Sequence, residues 1–126
     1  MALKEDYVSF EVAKLLKEKG FAETSNTIGT YNGKGEFYLY KHEKGYNHNH
    51  LTSWYSAPTL QMAMKWLREV HHIIFVFKPS YFSGDECTYW TYERWCGDNF
   101  DGEVLSFKTY EEAVESALKY SLENLI

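Results

Sequence analysis

The stretch "SAPTLQMAMKWLREVHHIIFVFKP", Ser56–Pro79, carries two kinds of hydrophobic pattern in succession and decides the fold class. Its first part is helical in pattern, because Thr59 is a suitable N-cap and apolar residues follow at helical spacing. The residues expected on the buried side of this helix are Leu60, Ala63, Met64, Leu67 and Val70, flanked by Trp66. The second part, "HIIFVFKP", has apolar side chains for both faces of an extended chain. It predicts a central strand, covered on both sides and ended by Pro79.

Two further helices are predicted on either side of this stretch. In "SFEVAKLLKEKGF" the helix begins after Ser9 as N-cap and ends at Gly20, a suitable left-handed residue. In "FKTYEEAVESALKYSLENLI" Thr109 and Glu112 have the spacing of a capping box. The predicted buried residues are Val12, Ala13, Leu15 and Leu16 in the first helix and Val114, Ala117, Leu118, Leu122 and Leu125 in the second.

The remaining strands are predicted from alternation and turn signals. In "TIGTYNGKGEFYLYK" the pair Asn32-Gly33 is a strong signal for a type I′ hairpin turn, which places Ile28 opposite Phe37. Further along, "CTYWTYERW" is rich in residues that favour strands, and "GEVLSF" is a candidate short extra strand.

The order of these elements predicts an α+β protein. About three helices are expected to pack on a four- to five-stranded, largely antiparallel sheet. A chain of 126 residues is about the size of one domain, and no linker or low-complexity segment interrupts it. The prediction is therefore a single domain spanning residues 1–126.

Charge and hydropathy exclude several classes of function. The net charge is −5 and the basic residues form no stripe, which makes duplex nucleic acid an unlikely partner. The longest apolar run, "IIFVF", is too short to cross a bilayer, and the first residues carry no signal-peptide pattern. A protein of the cytoplasm without membrane contact is expected, with Cys87 and Cys96 as reduced thiols.

The loop "KGYNHNHLTSWYSAP", Lys44–Pro58, raises the question of a metal site. In an extended chain His48 and His50 project from one face about 7 Å apart, a spacing that chelates zinc when a third ligand converges. The possible third ligands are His42, His72, Asp85 and Glu86. The favoured interpretation is a solvated polar loop, because asparagine is a common turn residue. No cofactor is predicted, and a small metal-dependent enzyme using His48 and His50 is an alternative function.

Three other candidate sites are weak. Cys96 lies near Arg94 and two aspartates in "RWCGDNFDGE", but no helix N-terminus or histidine is at hand to activate the thiol. The carboxylates of this segment lack the ligand ladder of a calcium loop. The pair His71-His72 suits the C-terminal end of a helix dipole. No catalytic, cofactor-binding or metal-binding residue is therefore assigned.

The aromatic content is the unusual feature of the composition. Eleven Tyr, eight Phe and four Trp exceed what a small core holds, so several rings are expected at the surface. The predicted interaction face comprises Tyr38, Tyr40, Tyr89, Trp90, Tyr92 and Trp95. Within the last strand, either Trp90 with Tyr92 or Tyr89 with Trp95 should be exposed. The expected function is binding of a protein partner or self-association; stacking of single-stranded nucleic acid is a further alternative, weakened by the acidic charge.

The three predicted helical segments, "SFEVAKLLKEKGF", "YSAPTLQMAMKWLREVHHI" and "TYEEAVESALKYSLENLI", together support a family resemblance that spans nearly the whole chain. The residues that carry it are Ala57, Pro58, Thr59, Leu60, Ala63, Trp66, Leu67, Arg68 and Glu69, together with "YEEA" at Tyr110–Ala113. In this pattern the chain resembles a family of short uncharacterised proteins from phages, prophages and mobile elements of gut bacteria. The resemblance implies an accessory protein that works inside a bacterial host cell. It implies no activity and no catalytic residue.

Overall fold

A computed structural model describes residues 5–80 and 89–126 of the chain, with the side chains of all but residues 25–27, 40–44 and 105. The helices are α1 (Phe10–Glu18), α2 (Leu60–His71) and α3 (Tyr110–Asn124). The strands are β1 (Ser25–Asn32), β2 (Phe37–Tyr46), β3 (Trp54–Ala57), β4 (Ile73–Ser80), β5 (Tyr89–Cys96) and β6 (Asn99–Phe107). No helix within the described ranges is long and apolar enough to cross a membrane.

The predicted α+β class, with three helices and antiparallel strand pairing, is confirmed. In the described residues the strands divide into a first sheet of order β2-β1-β3 and a second sheet of order β4-β5-β6, instead of one sheet of four or five strands. The chain forms two compact units, one reaching to Ala63 and including Ile126, the other comprising Met64–Leu125. That residues 1–126 make one domain stays a prediction.

Helix α1 begins and ends where the sequence predicts. The Ser9 hydroxyl accepts a hydrogen bond from the Val12 backbone N–H at 3.2 Å, and Gly20 follows the helix with φ +89°. Glycine adopts this left-handed conformation without the steric penalty of a Cβ atom. Of the predicted apolar face, Val12, Ala13 and Leu16 are buried.

The turn between β1 and β2 differs from the predicted two-residue type I′ turn at Asn32-Gly33. The connection is residues 33–36, and the glycine with positive φ is Gly35, at +81°. The Asn32 side-chain oxygen accepts hydrogen bonds from the backbone N–H groups of Lys34 and Glu36, at 2.9 and 3.0 Å. An asparagine side chain that bonds its own loop in this way stabilises a longer connection.

The longer turn changes the register of the hairpin. Ile28 pairs with Tyr40, and Phe37 pairs with Tyr31, whereas the sequence predicted Ile28 opposite Phe37. The Phe37 ring then lies over Gly29, where a Cβ atom would clash with it. A register slip by an odd number of residues exchanges the two faces of a strand, so the length of this turn decides which residues of β2 lie beside Gly29.

Helix α2 has the predicted N-cap, but near its C-terminal end the buried residue differs from the predicted one. The Thr59 hydroxyl accepts from the Met62 N–H at 3.1 Å, and the predicted residues from Leu60 to Leu67 are buried. Val70, however, is 50% exposed, and Trp66 is buried. The indole offers more apolar surface than a valine, and it packs edge-on against His71 with ring centroids 4.7 Å apart.

The prediction that residues 73–79 form a central strand is wrong for the described part of the second sheet. There β4 pairs only with β5, and β5 is the central strand. Pro79 does not end β4, which continues to Ser80 opposite Tyr89. A proline is tolerated in an edge strand because its missing N–H need not join the ladder.

Strands β5 and β6 form a hairpin that the sequence analysis missed. Cys96 pairs with Asn99, so the turn is Gly97-Asp98, with Gly97 at φ +62°. Glycine at the first central position is the requirement of a type II′ turn.

Helix α3 packs on one side of the second sheet. The Thr109 hydroxyl accepts from the Glu112 N–H at 3.1 Å, so the predicted N-cap is confirmed, whereas the Glu112 carboxylate accepts from the Lys108 N–H and not from the Thr109 N–H of a capping box. The buried residues of α3 are Ala113, Val114, Ala117, Leu118, Ser121 and Leu122. Ala113 and Ala117 pack directly against Tyr92, which is the central ring of this core.

Candidate interaction face

The two faces of β5 have different surroundings. Tyr92 is 1% exposed and packs beneath α3, and Trp90 contacts the Tyr110 ring with centroids 5.2 Å apart. Because side chains alternate along a strand, Tyr89 and Trp95 lie on the opposite side of the sheet. Trp90 and Tyr92 therefore belong to the core, and the second set faces away from α3.

We call the side of the second sheet away from α3 the outer face, formed by Ile74, Val76 and Lys78 of β4, Tyr89, Thr91, Glu93 and Trp95 of β5, and Phe100 and Glu103 of β6. Ile74 pairs with Trp95, which in turn pairs with Phe100, so these three side chains form one row across the strands. Ile74 and Val76 are each 40% exposed and Phe100 is 54% exposed. The Trp95 and Phe100 rings contact each other edge-on, with centroids 5.3 Å apart. The row is a contiguous apolar patch in contact with solvent.

Charged groups border this patch on the outer face. Lys78 forms an ion pair with one oxygen of Glu93, and the other oxygen accepts from the Trp95 indole N–H at 3.2 Å. The hydrogen bond from Lys78 has the largest effect on the pKa of Glu93, and together with the bond from Trp95 it keeps this pKa below its usual value. Glu103 of β6 lies opposite Glu93 in the strand register. Glu93 raises the pKa of Lys78 most, and the negative charge of Glu103 raises it further. The outer face thus carries two carboxylates for one ammonium group.

The helix side of the same sheet holds a buried arginine. Arg94 is 7% exposed; its Nε lies 3.0 Å from a carboxylate oxygen of Asp101, and its guanidinium carbon lies 4.0 Å from the centre of the Tyr120 ring. A Cβ atom at Gly102 would stand 2.8 Å from the Nη2 atom of Arg94, so a larger residue there would displace the guanidinium. Burial lowers the pKa of Arg94, but the hydrogen bonds to Asp101 and Tyr92 and the nearby Tyr120 together outweigh it, so the pKa lies above its usual value. This arginine is a structural link between α3 and the β5–β6 hairpin.

The thiol of Cys96 is not activated. Burial raises its pKa, the Asp101 carboxylate raises it further, and only Arg94 opposes them. Nucleophilic cysteines need the opposite shift, toward the thiolate. The other cysteine, Cys87, lies outside the described residues.

The histidine loop is part of the framework of the first unit. His48 Nδ1 is hydrogen-bonded to the Thr30 hydroxyl at 2.7 Å, and the His48 backbone N–H donates to the Ser56 hydroxyl at 2.6 Å. Thr30 and Ser56 are fully buried, whereas His50 is exposed. Within residues 5–80 and 89–126 no three His, Cys, Asp or Glu side chains are grouped to hold a metal ion. The His42 side chain and the carboxylates at 85 and 86 lie outside the described part.

A cavity of about 410 Å³ borders this loop. Its lining includes Lys17, Phe21, Asn47, Asn49 and His50. The amide nitrogens of Asn47 and Asn49 already donate to backbone carbonyls of Glu23 and Phe21, at 2.8 and 2.9 Å. The Lys17 ammonium donates to backbone carbonyls as well, including that of Trp54 at 2.9 Å. These polar groups hold the loop in place, which leaves few of them to bind a ligand.

Replacing His48 with alanine is expected to lower the free energy of unfolding by about 1–2 kcal/mol, because it leaves the buried Thr30 hydroxyl without its partner. His50→Ala, at an exposed position, is the control and should change stability by less than about 0.5 kcal/mol. Urea denaturation measures both effects. One zinc per chain by elemental analysis of untagged protein, lost in both variants, would contradict this structural role.

The predicted interaction residues are divided between the two sheets. Tyr38 is on the first sheet, 42% exposed and 6.1 Å from the Trp54 ring, whereas Tyr89, Trp90, Tyr92 and Trp95 are on the second sheet. The Tyr40 side chain is outside the described part.

Three members of the outer face, Ile74, Val76 and Phe100, were missed by the sequence analysis. Ile74 and Val76 alternate in "IIFVF", a run that gives no sign of which face is covered. Phe100 follows the Gly97-Asp98 turn, and recognising that turn as a hairpin would have placed it beside Trp95.

Comparison with known proteins adds no relative: no family model, curated protein or solved structure matches this chain.

Proposed function

We propose that the chain is a non-enzymatic protein that acts by binding another protein through the outer face of the second sheet. The observation that carries this proposal is the exposure of Ile74, Val76 and Phe100 on one face beside Trp95. Single exposed apolar residues are normal on a protein surface, but a contiguous set bordered by charges is typical of an interaction site. The proposed setting is an accessory protein of a phage or integrated element in the cytoplasm of a bacterial host, and it rests on the resemblance of the three helical segments alone.

The alternative functions have less support. A metal-dependent enzyme would need a third ligand beside His48 and His50, and within the described residues no three His, Cys, Asp or Glu side chains are grouped to hold a metal ion. A binder of single-stranded nucleic acid would stack bases on Trp95 and Phe100. The carboxylates of Glu93 and Glu103 lie on the same face and repel phosphates.

The proposal predicts site-specific cross-linking in bacterial cells. A photo-cross-linking amino acid at position 76 should give one discrete protein adduct, whereas the same group at Leu39, an exposed position of the first sheet, should not. Adding Ile74→Ser and Phe100→Ser should remove the adduct with little loss of stability, because both side chains are exposed. Mass spectrometry identifies the partner, and binding is then repeated with the purified proteins. Equal adducts from positions 76 and 39, or no adduct from either, would contradict the proposal.

A further inference from the structure

The dimensions of the outer face limit what can cover it. Three strands about 4.8 Å apart and about eight residues long give a surface of roughly 14 by 26 Å. An α-helix with its side chains is about 10–12 Å across and rises 1.5 Å per residue, so one helix of about 17 residues spans the length of this surface and most of its width. The opposite side of the same sheet is covered in this way by α3, which has 15 residues.

A second copy of the chain fits the outer face poorly. The area is roughly 370 Å² by these dimensions, less than half of the roughly 800 Å² per partner in a standard interface. A two-fold contact would also place the outer face against its own copy. Each copy would bring Glu93 and Glu103 against one Lys78, so the contact would carry an excess of negative charge.

The charges of Glu93 and Glu103 indicate which residues should flank the apolar side of a helix bound to the outer face. Glu93 already forms an ion pair with Lys78, whereas Glu103 is exposed and forms no ion pair within the described residues. A lysine or arginine beside the apolar stripe would pair with Glu103, and such complementarity contributes to specificity and association rate.

From these observations we infer that the outer face binds one amphipathic α-helix of a partner protein, with lysine or arginine residues beside its apolar stripe. The inference rests on the proposed function and specifies its partner. Helices bound by their apolar side are a recurring mode of peptide recognition, read as anchors at positions i, i+3, i+4 and i+7.

A displayed library of 17-residue helical peptides tests this inference. The apolar stripe is kept, and the flanking positions vary among Lys, Arg, Gln and Glu. Selection uses the whole chain, with the Ile74→Ser/Phe100→Ser variant as the loss-of-face protein. Leu39→Ser is the matched control, because it removes an equally exposed apolar side chain from the first sheet. A second selection uses Glu103→Lys.

The selected peptides should be rich in Lys and Arg, and they should bind the loss-of-face variant at least tenfold more weakly than the wild-type chain or Leu39→Ser. Their affinity should fall as salt is raised, and Glu103→Lys should shift the selection toward Glu. Peptides without a charge preference, or peptides that bind the loss-of-face variant equally well, would overturn the inference.

Two results separate this inference from the proposed function. If the cross-linked partner contacts position 76 through a segment that is not helical, the helix inference fails and the binding function stands. If sedimentation shows dimers that the loss-of-face variant lacks, the occupant is a second copy, and again only the helix inference fails. If neither a cross-link at position 76 nor a face-dependent peptide is found, both fail.

Discussion

Replacing Leu118 with alanine is expected to lower the free energy of unfolding by about 2–5 kcal/mol, the range for a fully buried leucine. Leu118 is 0% exposed and lies on the buried side of α3 between Val114 and Leu122. The loss combines the apolar surface no longer buried with the cavity that remains, because a packed core relaxes only partly. Urea denaturation followed by circular dichroism measures the change.

Leu39→Ala is the control for this substitution. Leu39 is 51% exposed, so the same chemical change should alter stability by less than about 1 kcal/mol. If the two variants unfold at the same urea concentration, α3 is not part of the cooperative core.

Replacing Asp101 with alanine is expected to destabilise the fold by about 3 kcal/mol, the lower end for breaking a buried ion pair. The substitution leaves the Arg94 guanidinium buried without its carboxylate, and the Nη1 atom of Arg94 already has no hydrogen-bond partner within the described residues. The lower end applies because the Asp101 side chain is 32% exposed, so water reaches that side. Thermal or urea denaturation measures the loss.

Two further variants show whether the uncompensated charge is the cause. Asp98→Ala removes an exposed aspartate of the same hairpin and should change stability by less than about 0.5 kcal/mol. Adding Arg94→Met to Asp101→Ala should recover part of the stability, because an apolar side chain needs no partner. Equal losses of stability in Asp98→Ala and Asp101→Ala would contradict a structural role for the Arg94–Asp101 pair. A double variant less stable than Asp101→Ala alone would contradict it as well.

The helices could be predicted from the sequence because their start signals are local. Ser9, Thr59 and Thr109 each accept a hydrogen bond from the N–H three residues later, as their positions indicate. The end of α2 was less predictable. Trp66 and Val70 lie near opposite edges of the apolar stripe, and only the tertiary packing decides which is buried.

The sheets and the outer face were harder to predict, because strand neighbours are set by contacts distant in sequence. The run "IIFVF" has apolar residues in every position, which is typical of a covered strand, yet Ile74 and Val76 are exposed. The turn at Asn32 was misjudged because the same residue type supports both two-residue turns and longer loops bonded by its side chain. Ile74 and Val76 are aliphatic, so the aromatic content that indicated an interaction face gave no sign of them.

The strand order also has a consequence for folding during synthesis. Within the described residues, all strand pairs except β1 with β3 join strands that follow each other in the chain. The connections 33–36 and 97–98 are short, so closing these hairpins costs little chain entropy. The first sheet is complete at Ala57, when less than half of the 126 residues have been translated. Its strands can therefore pair while the ribosome is still adding the second unit, which shortens the time that unpaired strand edges are exposed to other nascent chains.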